Sequence, residues 1–174
     1  MDSVPLCAQF NTIDFMIQRV QTIYLVVAAV LLALPMMLRM PLFSLTVPDG
    51  AYQLYPASVV FNGVEVMQTI AVLASITIAL LLVVYAILQF KNRSFQVNLI
   101  KVSILSQLVF LVMVFYYLDK AKEVASAQLL VDAVPTISYS PLLSAPVVAI
   151  FLSMLAIRSI KKDEALVRSA DRLR

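Results

Sequence analysis

Four long apolar runs, separated by stretches of turn formers and charge, set the pattern of this chain. The two central runs give it a frame. Met67–Leu88, MQTIAVLASITIALLLVVYAIL, holds 22 residues. At ~1.5 Å per residue it crosses a hydrocarbon layer of roughly 30 Å. A short turn, QFKNRSFQ, follows, and Val97–Leu118 crosses back. Val20–Leu38 and Ser140–Ile157 supply the first and fourth runs. The pattern predicts an all-α membrane protein: one four-helix transmembrane bundle over residues 16–174, with spans at about 20–38, 67–88, 97–118 and 140–157.

The connections are uneven. Residues 1–15, MDSVPLCAQFNTIDF, form a polar, non-periodic extension ahead of Met16, an alternative start. Residues 39–66 carry two hairpin signals. Leu42–Val47 and Ala51–Tyr55 flank Pro-Asp-Gly; Ser58–Phe61 and Val64–Val66 flank Asn-Gly, the stronger of the two. A small β-hairpin or three-stranded cap is expected there. DKAKEVASAQLL, from Asp119, extends the third helix beyond its span, and AVPTISYSP breaks it at Pro135 and Pro141. The tail 158–174, RSIKKDEALVRSADRLR, contains no breaker, and Glu164 and Arg168 form a favourable i, i+4 pair, so the fourth helix continues as a charged cytoplasmic end.

Charge gives the threading. Of 13 Lys and Arg residues, Arg19, Lys91, Arg93, Lys101, Arg158, Lys161, Lys162, Arg168, Arg172 and Arg174 fall on one side. Only Arg39, Lys120 and Lys122 fall on the other. Short basic loops stay in the cytoplasm, so both termini are expected there, in a multi-pass protein of the bacterial inner membrane.

Composition agrees and narrows the chemistry. Hydrophobic residues make up 62% and charged residues 13% of the chain, against ~25% charged in soluble domains. The net charge of +3 sits beside the spans, where it reads as a topology signal and not as a nucleic-acid surface. The chain has no histidine and two glycines. It therefore lacks the commonest general base and the loop that cradles phosphates. Cys7 is the only cysteine, so no internal disulfide forms, and no apolar run precedes it to make a lipoprotein signal. The first span is longer than a signal-peptide core and has no small-x-small site after it, so it is expected to stay attached.

MIQRVQTIYL at the first span, KNR after the second and the terminal AIRSIKKDEALVRSADRLR resemble a family of small Bacteroidetes membrane proteins, domain of unknown function four-two-nine-three. The resemblance covers about residues 16–174 and is strongest at the two ends. It implies a four-helix inner-membrane protein of uncharacterised activity and supplies no catalytic residues.

Candidate sites follow from what lipid demands. Helices in a bilayer associate through small residues and polar links. Ala71, Ser75 and Ala79, then Ala145, Ala149 and Ser153, form four-residue stripes, and Ala29 and Ala33 a shorter one. Gln107, with Ser103 one turn earlier, is the most polar group near a span centre and reads as interhelical glue; a polar spot on a ligand path is the sharper alternative. No Asp, Glu, Lys or Arg falls mid-span, which argues against ion-driven transport. Met36, Met37 and Met40, beside Pro35, read as packing more than as a Cu(I) site. Lys91, Arg93, Lys161, Lys162, Asp163, Glu164, Arg168, Asp171, Arg172 and Arg174 are candidates for contact with lipid headgroups or a cytoplasmic partner.

No catalytic, cofactor or metal residues emerge. The expected function is a non-enzymatic accessory or scaffold subunit, partnered by the bilayer and by membrane proteins. A small oligomeric transporter or channel for an uncharged or lipidic substrate is the alternative.

Overall fold

The computed structural model describes residues 6–90, 92–128 and 136–171. Four helices, α1 (Leu6–Met37), α2 (Ile70–Leu88), α3 (Arg93–Gln128) and α4 (Ser144–Asp171), are each long and apolar enough to cross a membrane. They form a ring in which α1 packs on α2 and α4, and α3 packs on the same two. Each helix turns a narrow stripe inward. On α1 this is Leu25, Ala28 and Leu32, while Ile23, Val26, Val27 and Val30 stay exposed. Apolar residues on both the inward and the outward face are what a lipid solvent allows, since lipid tails solvate Val and Ile as well as a protein core does.

The all-α expectation needs correction. Five strands, β1 (Phe43–Val47), β2 (Gly50–Leu54), β3 (Ser58–Phe61), β4 (Val64–Gln68) and β5 (Thr136–Tyr139), form one antiparallel sheet in the order β4-β3-β2-β1-β5. The two hairpins lie at the Pro-Asp-Gly and Asn-Gly turns. The fifth strand comes from the other connection, pairing Phe43 with Tyr139 and Thr46 with Thr136. A lone two-stranded ribbon is marginal in water, and an added strand closes the otherwise open edge of β1.

The helix bounds shift for the same reason. Met67 and Gln68 pair with Val59 and Ser58 in the sheet, so α2 starts at Ile70 rather than at Met67. Thr69 makes the junction: its hydroxyl donates to the carbonyls of Tyr55 and Pro56, each at 3.2 Å, and its N–H to Ala57 O at 2.9 Å. Asn92 accepts from Phe95 N at 3.2 Å and opens α3 four residues before the expected span. α4 starts after a single 3-10 turn at Pro141–Leu143. At the other end of the chain, α1 begins at Leu6, inside the extension expected to be non-periodic; residues 1–5 lie outside the described part.

The sheet rests on α3. Leu118, Ala121 and Ala125, spaced three and four apart, are buried at the outer part of that helix, which packs on β1 and β2. Against it stand Phe43, Leu45, Val47, Tyr52 and Leu54, alternate positions of two strands. Tyr52 stacks on Phe61 at 4.4 Å, and burial raises the pKa of its phenol.

Candidate functional site

The polar groups near mid-span lie between α2 and α3. Ser103 Oγ donates to Ala79 O at 3.1 Å, and Ser106 Oγ donates to Ser75 O at 2.8 Å. Both bonds cross between helices, and each is possible because Ser and Ala let the backbones approach. Gln107 Nε2 donates to Ser103 Oγ at 3.0 Å. Its Oε1 is fully buried and has no hydrogen-bond partner among the described residues. The remaining small polar groups close locally: Ser75 Oγ donates to Val72 O at 2.9 Å, and Ser153 Oγ to Ala149 O at 2.8 Å. The cluster can hold two helices together and can accept one further hydrogen bond. It offers no nucleophile–base pair.

A second polar contact closes the opposite end from the sheet. Gln21 on α1 donates through Nε2 to the Asp163 carboxylate on α4, and both side chains are buried. Ile160 and Ala156 continue the buried stripe of α4, whereas Arg158, Lys161 and Lys162 are exposed and Glu164 is half-buried. The first part of the tail is thus a packed helix face with a basic outer side. Asp163, singled out for partner contact, points into the bundle.

The other expected residues divide clearly. Ser75, Ala79, Ser103, Gln107, Ala145, Ala149 and Ser153 are buried, and Ala29 and Ala33 half-buried. Ala71 is exposed, so its stripe reaches the bundle only from Ser75 onward. Arg93 is half-buried at the start of α3. Lys91, Arg172, Arg174 and the side chains of Arg168 and Asp171 lie outside the described residues. No group of three or more metal-ligating His, Cys, Asp or Glu exists among the described residues.

Two features escaped sequence reasoning. Gln21 lies at the very start of the first apolar run, and only the α1–α4 pairing shows its use. The β4 edge is the other: Val64, Glu65 and Val66 are all exposed, and a register shift at Val59/Val60 leaves Val66 bulged out of the ladder. On α3 beyond the bundle, Lys120 bonds Glu123 at 2.8 Å and Lys122 bonds Asp119 at 3.0 Å. The hydrogen bond and charge of Glu123 raise the Lys120 pKa, and those of Lys120 lower that of Glu123, an exposed pair suited to water.

Among curated proteins no relative matches the chain. The model of a family described as a domain of unknown function, DUF4293, matches residues 17–173, nearly the whole of this four-helix architecture, and the chain belongs to that family.

Proposed function

We propose that this protein is a non-enzymatic accessory or scaffold subunit of a membrane complex in the bacterial inner membrane, with both termini cytoplasmic and the sheet on the far side. The use of the mid-span serines carries this reading. Ser103 and Ser106 bind carbonyls of the neighbouring helix, which supports a bundle built to hold its shape. Work by surfaces outside the hydrocarbon then falls to the sheet and to the basic side of α4, where Arg158, Lys161 and Lys162 are exposed.

One observation favours a second reading, a small oligomeric transporter or channel for an uncharged or lipidic substrate. The Gln107 carbonyl oxygen is a buried acceptor still open to a donor. Purification in mild detergent separates the two. Fixed partners at constant stoichiometry support the scaffold. A homo-oligomer that lets a neutral solute cross vesicles supports the transporter and overturns the scaffold.

A further inference from the structure

In the sequence Lys101 stands near the start of the third apolar run, beside the basic turn. The pairing of α3 with α2 places it deeper. Ser103 Oγ bonds Ala79 O and Ser106 Oγ bonds Ser75 O, so the two antiparallel helices are in fixed register. Two residues before Ser103, Lys101 is then level with about Leu81. α2 has 19 residues, Ile70–Leu88, and its ~28 Å length matches a hydrocarbon layer of ~30 Å. Lys101 therefore lies ~10 Å inside the Leu88 end of that layer, nearer its middle than its edge.

A lysine at that depth needs an anion or water beside it. Its stem reaches ~6 Å and leans toward the helix N-terminus, which for α3 is the Leu88 end. Even so extended, the ammonium stops ~4 Å short of that level. Lys101 is exposed on the outside of the bundle, and no carboxylate pairs with it among the described residues.

Two polar neighbours share its face. Asn98 and Ser94, one and two turns earlier, are both exposed. By the same register Ser94 is level with about Leu88 and Asn98 with about Val84. The three residues make a polar strip that runs from the edge of the hydrocarbon down to the cation. Past Lys101 the outward face of α3 is apolar, with Val102, Leu105, Leu108, Val109 and Val112 exposed.

We infer that Ser94, Asn98 and Lys101 form a site for the phosphate of an anionic phospholipid, whose headgroup is drawn down beside α3. Charge selects the ligand: each of the three side chains donates hydrogen bonds, none is acidic, and the one full charge is positive. Access selects a lipid over a carboxylate on a partner helix. The strip opens at headgroup level and stays polar as far as the ammonium, so a phosphate reaches it without crossing apolar surface. A partner's carboxylate at this depth would carry its own desolvation cost within a span. The inference rests on the four helices crossing a bilayer, as proposed above, and a separate control tests that.

The chain has no tryptophan, so one substitution creates a single fluorophore. Val102→Trp, next to Lys101, and Leu105→Trp, one turn on along the same face, would each be made in the full-length protein. Val30→Trp, exposed on α1 across the ring from α3, is the control for the span itself. Each is reconstituted in vesicles of phosphatidylcholine with increasing fractions of phosphatidylglycerol, and either lipid in turn has brominated acyl chains. At position 102 or 105, brominated phosphatidylglycerol should quench as a lipid bound ~5-fold more tightly than phosphatidylcholine, the effect of about one lysine at an anionic surface. Adding Lys101→Gln should abolish that preference, and Lys101→Arg should keep it. Val30→Trp should show none. Equal quenching by the two lipids beside Lys101, or a preference that survives Lys101→Gln, overturns the proposal. Quenching at position 30 with none at 102 or 105 overturns it in favour of a protein covering this face. No quenching at position 30 overturns the membrane reading, and the lipid site with it. Two reporters on the face keep the test decisive if one variant misfolds.

Discussion

Gln21 and Asp163 lie 142 positions apart in the chain, yet the carboxamide of the first donates to the carboxylate of the second, with both side chains buried. The contact ties the start of the apolar part of α1 to the charged C-terminal part of α4. A buried carboxylate left short of a donor keeps its desolvation cost. Gln21→Ala should therefore lower the stability of the detergent-solubilised protein by ~1–3 kcal/mol, read as a fall in thermal midpoint. Asp163→Asn, which retains an acceptor, should cost less than Asp163→Ala. Equal losses for the two Asp163 variants would show that the bond to Gln21 contributes little.

The mid-span cluster gives an asymmetric prediction. Ser103→Ala removes the acceptor for Gln107 Nε2 and leaves its whole carboxamide unpaired in the core. Gln107→Leu removes the amide and the orphan oxygen together, so it should be neutral or stabilising. Ser106→Ala should cost only ~0.6 kcal/mol, the usual scale of an interhelical hydrogen bond in a membrane. The double variant Ser103→Ala/Gln107→Leu should be more stable than Ser103→Ala alone. Unfolding in mixed micelles would rank the four.

Small-residue stripes predict where bulk is tolerated. Ala79→Leu and Ala149→Leu place a large side chain at fully buried positions and should destabilise by ~1–3 kcal/mol. Ala71→Leu, on an exposed face, should leave stability unchanged. A comparable loss at Ala71 would mean that a second chain packs there.

One side chain ties the two hairpin turns of the sheet together. Asn62, at φ 48°, donates from Nδ2 to Asp49 O at 3.0 Å and accepts from Ala51 N at 3.3 Å, bridging the two hairpin turns. A Cβ on Gly50, at φ 153°, would lie 2.3 Å from that same side chain, whereas one on Gly63, at φ 88°, would meet nothing within 4 Å. Gly63→Ala should cost ~1 kcal/mol of backbone strain. Gly50→Ala should cost more by displacing Asn62, seen as protease cleavage in the sheet while the spans stay intact.

The threading is tested by fusion. A reporter active only in the cytoplasm should work after Arg93 and Arg174 and fail at Asp49 and Asp132. Activity at Asp49 would reverse the orientation.

Much of this protein was legible in one dimension because a bilayer imposes a one-dimensional rule: a span must be long and apolar wherever its neighbours lie. That rule alone determined the four helices, and the small and polar residues from Ser75 to Ser153 were findable since only they let helices approach or bond in lipid. The Asn-Gly and Pro-Asp-Gly turns were legible too, because a tight hairpin needs particular residues at fixed positions. What the chain could not show locally was set by long-range pairing. Thr136–Tyr139 holds the strand formers Thr, Ile and Tyr, but it is four residues between two prolines and becomes β5 only because β1 offers an open edge beside it. Met67 and Gln68 read as helix by hydropathy, and the ladder to β3 takes them into the sheet. Asp163 looks like any charge in a charged helical tail until the packing of α4 on α1 turns it toward Gln21. Each of these depends on which segments meet, and a pattern of apolar and polar positions contains no record of that.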